Sequence, residues 1–533
     1  MTVLGPSGHH DTFSRDNLPP QDAWPEFAMD GFDYPDHINV GVELTDKMVE
    51  NGFGDHTALI GNGRRRTYKE LSDWTNRLAH VLVDNLGIKP GNRVLIRSAN
   101  NPAMVACWLA ATKAGAVVVN SMPMLRSGEL AAIVDKAEIS HALCDTRLMD
   151  ELIDCAKNSD HLTSVVGFDG TSNHDAELDR LALEKPVQFD AVKTGRDDVA
   201  LLGFTSGTTG KPKATMHFHR DLLMIADGYA KEVLGVTSDD IFIGSPPLAF
   251  TFGLGGLAIF PLRFGAAATL LENASPPNLV EIIEKYRATV CFTAPTAYRV
   301  MLQAMDDGAD LSSLRAAVSA GETLPAPIYD QWMEKTGKPM LDGIGATEML
   351  HIFISNRFDD HKAACTGKPV TGYEVKIIDA DGAEVPVGAQ ENDILDNPGA
   401  VAVNRRALSN AGDEMSDAER PDHQGTGIAR VFDLNYDGLS NKRFPTSRVL
   451  VLTKLKASRI RLASELMPEG EKLKTTPALP KDEVRALGVA EVYFKRPPSA
   501  PARQEYASLY NPFWQVRLAS PTIAEKEVAA NAR

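Results

Sequence analysis

Cysteine is scarce in this chain. Its five copies, Cys107, Cys144, Cys155, Cys291 and Cys365, are scattered along 533 residues without a CxxC pair. An odd, dispersed set argues against a disulfide framework or a thiolate zinc site and leaves buried free thiols as the expectation. Positive charge is also in deficit: 55 Lys+Arg against 71 Asp+Glu give a formal net charge of −16. Such a surface repels nucleic-acid phosphates and anionic lipid headgroups, so neither nucleic acid nor a membrane is an expected partner. A local basic site for an anionic cofactor stays compatible with it. The N-terminal stretch MTVLGPSGHHDTFSRDN has no basic segment followed by an apolar core, so it does not read as a secretory signal. Residues 241–262 carry no charge, but Pro246, Pro247 and several glycines interrupt them. A buried strand, a loop and a helix start are expected there in place of a membrane span. A cytoplasmic protein is the expectation.

What is present is an ordinary globular composition, 43% hydrophobic and 24% charged, over a length that implies two or three domains. Charge divides unevenly. Residues 391–533 hold 21 basic and 19 acidic side chains, whereas 1–390 hold 34 and 52. From 64 to 350 the pattern alternates helix and strand. RRTYKELSDWTNRLAHVLVDNLG has helical spacing and stops at Gly87; NRVLIRSAN is a short β-branched run. AMVACWLAATKAG then AVVVN, and GELAAIVDKAEI then HALCD, repeat helix then strand, as do LVEIIEKYR then ATVCFTAPT. Alternation of this kind predicts an α/β fold with doubly wound, parallel sheets. VTGYEVKIIDADGAEVPVG reads as a β-rich hairpin with an Asp-Gly turn.

The most informative segment is FTSGTTGKPKATMHFHRDL, residues 204–222. A strand is expected to end at Phe204. Thr205, Ser206, Gly207, Thr208, Thr209, Gly210, Lys211, Pro212 and Lys213 follow as a loop. Glycines let the backbone approach a phosphate, hydroxyls and main-chain N–H groups donate to it, and lysines supply charge. The Walker pattern needs Ser or Thr after Gly-Lys and an earlier glycine where Thr205 stands. Here Pro212 follows Lys211, so a Walker-type nucleotidase is set aside.

TSGTTGKPK resembles the signature loop of the adenylate-forming superfamily, which contains acyl-CoA synthetases, luciferases and peptide-synthetase adenylation domains. The resemblance implies that Thr205, Ser206, Gly207, Thr208, Thr209, Gly210 and Lys213 hold the β- and γ-phosphates of ATP. Further motifs follow in the family's order. SPPLAFTFGLGG (245–256) resembles an aromatic-bearing motif that would put Phe250 against the acyl pocket; the bland alternative is a core phenylalanine. SAGETLP (319–325) resembles the turn bordering adenine, implying Ala320, Gly321 and Glu322. DGIGATEM (342–349) resembles the Thr-Glu motif, implying nucleotide contacts from Asp342, Gly343, Ile344, Gly345 and Thr347. In that motif Thr347 would meet the α-phosphate and Glu348 would bind magnesium. Lys213, Thr347 and Glu348 are thus the implied catalytic residues. TGKPVTGYEVKIIDADGAEVPVG (366–388) resembles the hairpin region that closes the large domain. QDAWPEFAMDGFDYPDHINVGVELTD and GIGATEMLHIFISN are similar to the benzoate-CoA and 2-aminobenzoate-CoA ligase branch. That would bring His217, Gly345, Met349, Leu350 and His351 near an aromatic acid, although each histidine alone could be structural.

The implied activity is ATP- and Mg²⁺-dependent conversion of a small aromatic carboxylate to its acyl-adenylate, then to the CoA thioester. Another acyl-CoA ligase is the alternative within the class. The implied architecture is a multi-layer adenylate-forming large domain over 1–389, followed by a tail over 390–533 that is α+β or partly disordered and foreign to the family. In the tail the family's ribose-binding aspartate motif and its Pro-Lys-x-x-x-Gly-Lys string have no convincing counterpart. YDG (436–438) lacks the Thr-Gly-Asp order, and LPKDEVRALG (479–488) lacks Gly-Lys. Losing a charged hydrogen-bond partner on ribose would weaken ATP binding by roughly 1.5–3 kcal/mol, about ten- to a hundredfold. A gene fusion or frameshift near 390, a replacement domain, and an impaired nucleotide- or acyl-binding protein are the readings that follow. The sequence leaves the oligomeric state open.

Overall fold

The computed structural model describes residues 4–19, 32–171, 175–206 and 212–378, with the strand segments Ala400–Arg405, Asp413–Glu414, Ile428–Phe432, Val492–Lys495 and Gln515–Leu518. Two units are distinguished, Met1–Val375 with Val403–Ala429, and Lys376–Ala402 with Arg430–Arg533. In the second unit Val492–Lys495 pairs antiparallel with Gln515–Leu518. The remaining calls on the tail, and residues 379–388 of the expected hairpin region, lie outside the described residues.

The first unit is built on two sheets. In the nine-stranded sheet the central six strands run parallel: Met340–Gly345, Ala316–Ser319, Val290–Thr293, Ile241–Gly244, Ala267–Thr269 and Thr57–Gly61. Arg64–Thr67 closes one edge, and Ile352–Ser355 with Lys368–Pro369 the other, all antiparallel. The seven-stranded sheet has a parallel core of Val199–Ser206, Val117–Ser121, Arg93–Arg97, His141–Asp145 and Ser164–Phe168. Pro212–Phe218 extends it antiparallel, and Asp413–Glu414 adds two residues beyond. The doubly wound expectation is met at the centre of both sheets. Antiparallel strands are confined to the ends, where a short turn can return the chain without a crossover helix.

Three apolar clusters make five layers. One lies between the sheets and takes Val94, Ile96 and Val118 from one and Leu59, Phe242, Phe292 and Val318 from the other. The helix Pro102–Lys113 runs through it with every residue buried. Its sequence, PAMVACWLAATK, is apolar around its circumference, as a helix covered on all sides must be. Asn101 caps it by accepting from the Met104 N–H at 3.0 Å. The second cluster covers the outer face of the seven-stranded sheet under the helices Ser127–Ala137 and Met149–Lys157. The third covers the outer face of the nine-stranded sheet under Pro276–Tyr286, Pro295–Asp306 and Ala326–Thr336. Tyr68–His80 starts with a reciprocal cap: Thr67 accepts from the Glu70 N–H at 3.2 Å, and Glu70 accepts from the Thr67 N–H at 2.9 Å.

The uncharged stretch folds as the strand Ile241–Gly244, a loop, and a helix beginning at Thr251. Among the described residues no helix is long and apolar enough to cross a membrane. Cys107, Cys144, Cys155 and Cys291 are buried free thiols and Cys365 is an exposed one.

Lys113, wholly buried at the end of the central helix, gives this layer a pH dependence. Its ammonium donates to Asn76 Oδ1 at 2.6 Å and meets Asp46 Oδ2 at 2.7 Å. Burial outweighs the Asp46 attraction and lowers its pKa from 10.5 to about 8. Between those values the unfolded chain holds a proton that the folded chain has released, so stability rises with pH. Relative to Lys113→Met, the wild type is expected to gain on the order of 3 kcal/mol between pH 8 and 10.5. Chemical-denaturation midpoints of the two proteins across that range check the slope and its sign.

Candidate active site

In both sheets the strand order reverses, and the chain leaves each reversal at a carboxyl end. Ile241–Gly244 lies between the next two parallel strands in sequence, and Arg93–Arg97 lies between Val117–Ser121 and His141–Asp145. Crevices at such points are where open α/β sheets bind ligands. The segments singled out by sequence emerge at these ends: residues 245–250 after Gly244, 320–325 after Ser319, and 346–350 after Gly345. Asn100, just beyond Arg97, ties the two edges together. It donates to Pro246 O and accepts from the Leu248 N–H, both at 2.8 Å. Asn120 donates to Leu248 O at 3.2 Å.

The described parts of the glycine-rich segment are the ends of two paired antiparallel strands. The first strand runs on to Ser206, two residues past the expected end at Phe204, and pairs with Pro212–Phe218 in the register Gly203↔Thr215, Thr205↔Lys213 and Ser206↔Pro212. Thr205, Ser206, Pro212 and Lys213 are therefore strand residues; the ladder continues because the two strands supply partners for backbone groups that a loop would leave to solvent. Gly207, Thr208, Thr209, Gly210 and Lys211 lie outside the described residues. Strand alternation sorts the side chains. Leu202, Phe204, Ala214, Met216 and Phe218 pack into the outer apolar cluster. Gly203, Thr205, Lys213, Thr215 and His217 occupy the opposite face. Lys213 is only 3% exposed. Thr215 Oγ1 donates to Gly203 O at 3.1 Å and lies 2.9 Å from His217 Nε2.

The Thr-Glu turn comes down on this face. A Cβ placed on Gly203 would stand 2.9 Å from the Thr347 methyl and 2.8 Å from Thr215 Oγ1. The turn itself closes through Met349 N–H to Ala346 O (3.1 Å) and Leu350 N–H to Thr347 O (3.0 Å). Leu350 takes a left-handed φ of 67°, which costs about 1–2 kcal/mol for a residue with a Cβ. Burial of its side chain, 1% exposed, returns about 1.5–3 kcal/mol and offsets that strain. Tyr373 Oη donates to Met349 O at 3.2 Å. Asp342, on the adjoining strand, accepts from Ser319 Oγ at 2.8 Å, so its carboxylate joins the ends of two strands. The next turn, Ala320–Glu322, needs the φ of 88° that Gly321 adopts. Thr347 and Glu348 are half-buried and Gly345 is exposed.

Beyond the turn, His351 sits among rings. Phe260, Phe252, Tyr229 and Phe292 lie 4.5, 5.3, 5.7 and 5.9 Å away by centroid. Its Nε2 faces Phe252 O at 3.2 Å, which puts the ring proton on Nε2. Burial lowers its pKa to about 3, so it is neutral at physiological pH. Phe250 is 47% exposed, which removes the reading of a core phenylalanine.

Residues 47–403 match the AMP-binding enzyme family. The chain belongs to that family. Residues 404–533 fall outside the matched stretch. A benzoate–CoA ligase of Thauera aromatica is 33% identical over 66% of this chain and 67% of that protein. An anthranilate–CoA ligase of Pseudomonas aeruginosa is 31% identical over 66% and 67%. The solved structure of an anthranilate CoA ligase in complex with anthranoyl-AMP superimposes with a TM-score of 0.66 at 30% identity, covering 72% of each chain. A benzoate CoA ligase from Burkholderia xenovorans LB400 gives 0.61 at 28%, covering 70% of this chain and 72% of that one.

In this AMP-binding enzyme the structure brings Thr205 and Lys213 to one face with Thr347 above it, and sets Ala320–Glu322 beside Asp342 through Ser319. His217 is fully buried against Thr215, and Met349 is buried under the turn. Sequence reasoning passed over Gly203, Thr215 and Asn100. Gly203 carried a signal, a glycine inside a strand pattern, which marks close approach of a neighbour. Asn100 carried none, because its partners lie about 150 residues away. Asn100→Leu keeps the bulk but strands two buried backbone groups, so destabilisation of about 2–4 kcal/mol is expected. A thermal melt measures it, and proteolysis should cut earlier within 245–250; an unchanged melt would refute the clamp.

Proposed function

We propose that this protein is a cytoplasmic AMP-forming aryl-CoA synthetase that activates a benzoate- or 2-aminobenzoate-type acid. The observation that carries the reading is the meeting at Gly203 of the phosphate hairpin, bearing Lys213, and the turn bearing Thr347 and Glu348. The relatives named benzoate and anthranilate ligase support the aromatic class. We retain the division into a large domain over 1–389 and a tail over 390–533 as part of the proposal.

The acid's carboxylate attacks the α-phosphorus of ATP, forming the acyl-adenylate and releasing pyrophosphate. The CoA thiolate then attacks the acyl carbon and expels AMP. Negative charge on the phosphoryl oxygens dominates the first transition state, so fixed cations and donors matter most. Lys213 is suited to this because an ammonium held among buried strands acts through a lower dielectric than one in water. Thr347 supplies a hydroxyl to the α-phosphate. Mg²⁺ is commonly held by one or two carboxylates, with substrate phosphates and water completing its shell. Glu348, the carboxylate next to Thr347, fits that donor set; among the described residues no cluster of three or more metal-binding side chains exists. Bound Mg²⁺ supplies charge neutralisation on the phosphates. Ala320, Gly321 and Glu322 would border adenine, and Phe250 with His217, Gly345, Met349 and Leu350 would line the acyl side.

A second reading is a protein that binds ATP or acid without completing the thioester. It is favoured by the lack, in 404–533, of a family match and of the Gly-Lys string. Pyrophosphate release and thioester formation, followed separately with ATP, Mg²⁺, CoA and a panel of acids, decide between them. Both products with benzoate or 2-aminobenzoate, and less with aliphatic acids, are expected. Pyrophosphate without thioester would restrict the chain to adenylation, and ATP binding with neither product would establish the second reading. Lys213→Ala is expected to lower pyrophosphate release by roughly 10²–10³-fold. Glu348→Gln should raise the Mg²⁺ concentration needed for half-maximal rate.

A further inference from the structure

We infer that Gly203 is a positioning residue for adenylation: its bare Cα is the seat of the Thr347 methyl group, and that seat aims the Thr347 hydroxyl. The inference deepens the aryl-adenylating reading and rests on it.

Three side chains crowd the place a Cβ would take at 203. Thr215 Oγ1 would be 2.8 Å from it, the Thr347 methyl 2.9 Å and the Thr251 methyl 3.5 Å. The first two are below any normal carbon contact, so an added methyl must displace something. Thr215 resists. Its hydroxyl has one proton, which goes to Gly203 O at 3.1 Å, so it accepts from His217 Nε2 at 2.9 Å. Rotating it away gives up both bonds in a fully buried place. His217, thereby fixed as the Nε2–H tautomer, acts here as a brace behind Thr215.

Thr347 is the part that yields. A threonine carries its methyl and hydroxyl on the same Cβ, so fixing the methyl fixes the hydroxyl. The backbone beneath it is set by the closed turn and by the buried side chains of Met349 and Leu350. With the methyl seated on Gly203, the hydroxyl has one direction. A side chain at 203 displaces the methyl and so turns the hydroxyl away from its direction over the face that carries Lys213. Misplacement of a reacting geometry by even 1 Å can cost roughly a hundredfold in rate.

Serine at 347 keeps the hydroxyl and lacks the methyl, which makes the seat testable as a cycle. Gly203→Ala, Thr347→Ser and the double variant are compared with wild type in pyrophosphate release and in thermal melting. Gly203→Ala is expected to lower kcat roughly ten- to a hundredfold, with the ATP KM changed less than about threefold, and to lower Tm. Thr347→Ser alone should be slower than wild type. Added to Gly203→Ala, it should restore at least about threefold of the rate and part of the Tm. A wild-type rate for Gly203→Ala, or effects that simply multiply in rate and add in Tm, would overturn the inference. Should the wild type release no pyrophosphate with any aryl acid, the aryl-adenylating reading fails. The melting cycle, which needs no turnover, still decides the seat: recovery supports it and additivity refutes it.

Discussion

Everything at the candidate site depends on one apolar layer shared by two sheets. Side chains from both pack on the helix Pro102–Lys113, which no water reaches. Neither inner face can leave that layer without exposing many large side chains, at about 1.5–3 kcal/mol each. The sheets are thus held with their carboxyl edges together. The strands Val199–Ser206 and Pro212–Phe218 belong to one and the Thr-Glu turn follows a strand of the other, and their distance apart is set by packing far behind them. Asn100 extends this hold to the edge itself, since its amide satisfies two backbone groups of the loop leaving the other sheet.

Within that frame the site uses small residues and threonines where larger side chains would hold the elements apart. Gly203 lets the turn touch the hairpin. Thr215 closes the space beneath with a hydroxyl already committed to two partners. Leu350 holds a left-handed backbone that its own burial stabilises. The geometry is rigid because each feature is fixed by a neighbour from another element, as sites built on sheets and short turns tend to be.

Two buried histidines are kept neutral. His351 among its rings, and His219 just past Phe218 at the end of the hairpin away from Lys213, are both pushed to about 3, chiefly by burial. In His219 the lone pair of Nδ1 accepts from the Val40 N–H at 3.2 Å. Both therefore stay uncharged between pH 5 and 8.

Much of this was legible in the sequence. Apolar periodicity marks the helices and strands of the layers because a helix or strand must bury one face or all of them. The TSGTTGKPK string, with the motifs that follow it in order, pointed to the family that residues 47–403 match. What sequence could not settle is what depends on partners distant in the chain. The first hairpin strand reaches Ser206 because Pro212–Phe218 offers a ladder. His217 turns to Thr215, His351 enters a cage of rings, and Phe250 stays half exposed although it is apolar. Local pattern determined which elements form and which family the chain belongs to. Tertiary packing alone decided their separation and direction, because Gly203 and Thr347 meet from two sheets drawn from separate stretches of chain, mainly 93–218 for one and 57–67 with 241–369 for the other.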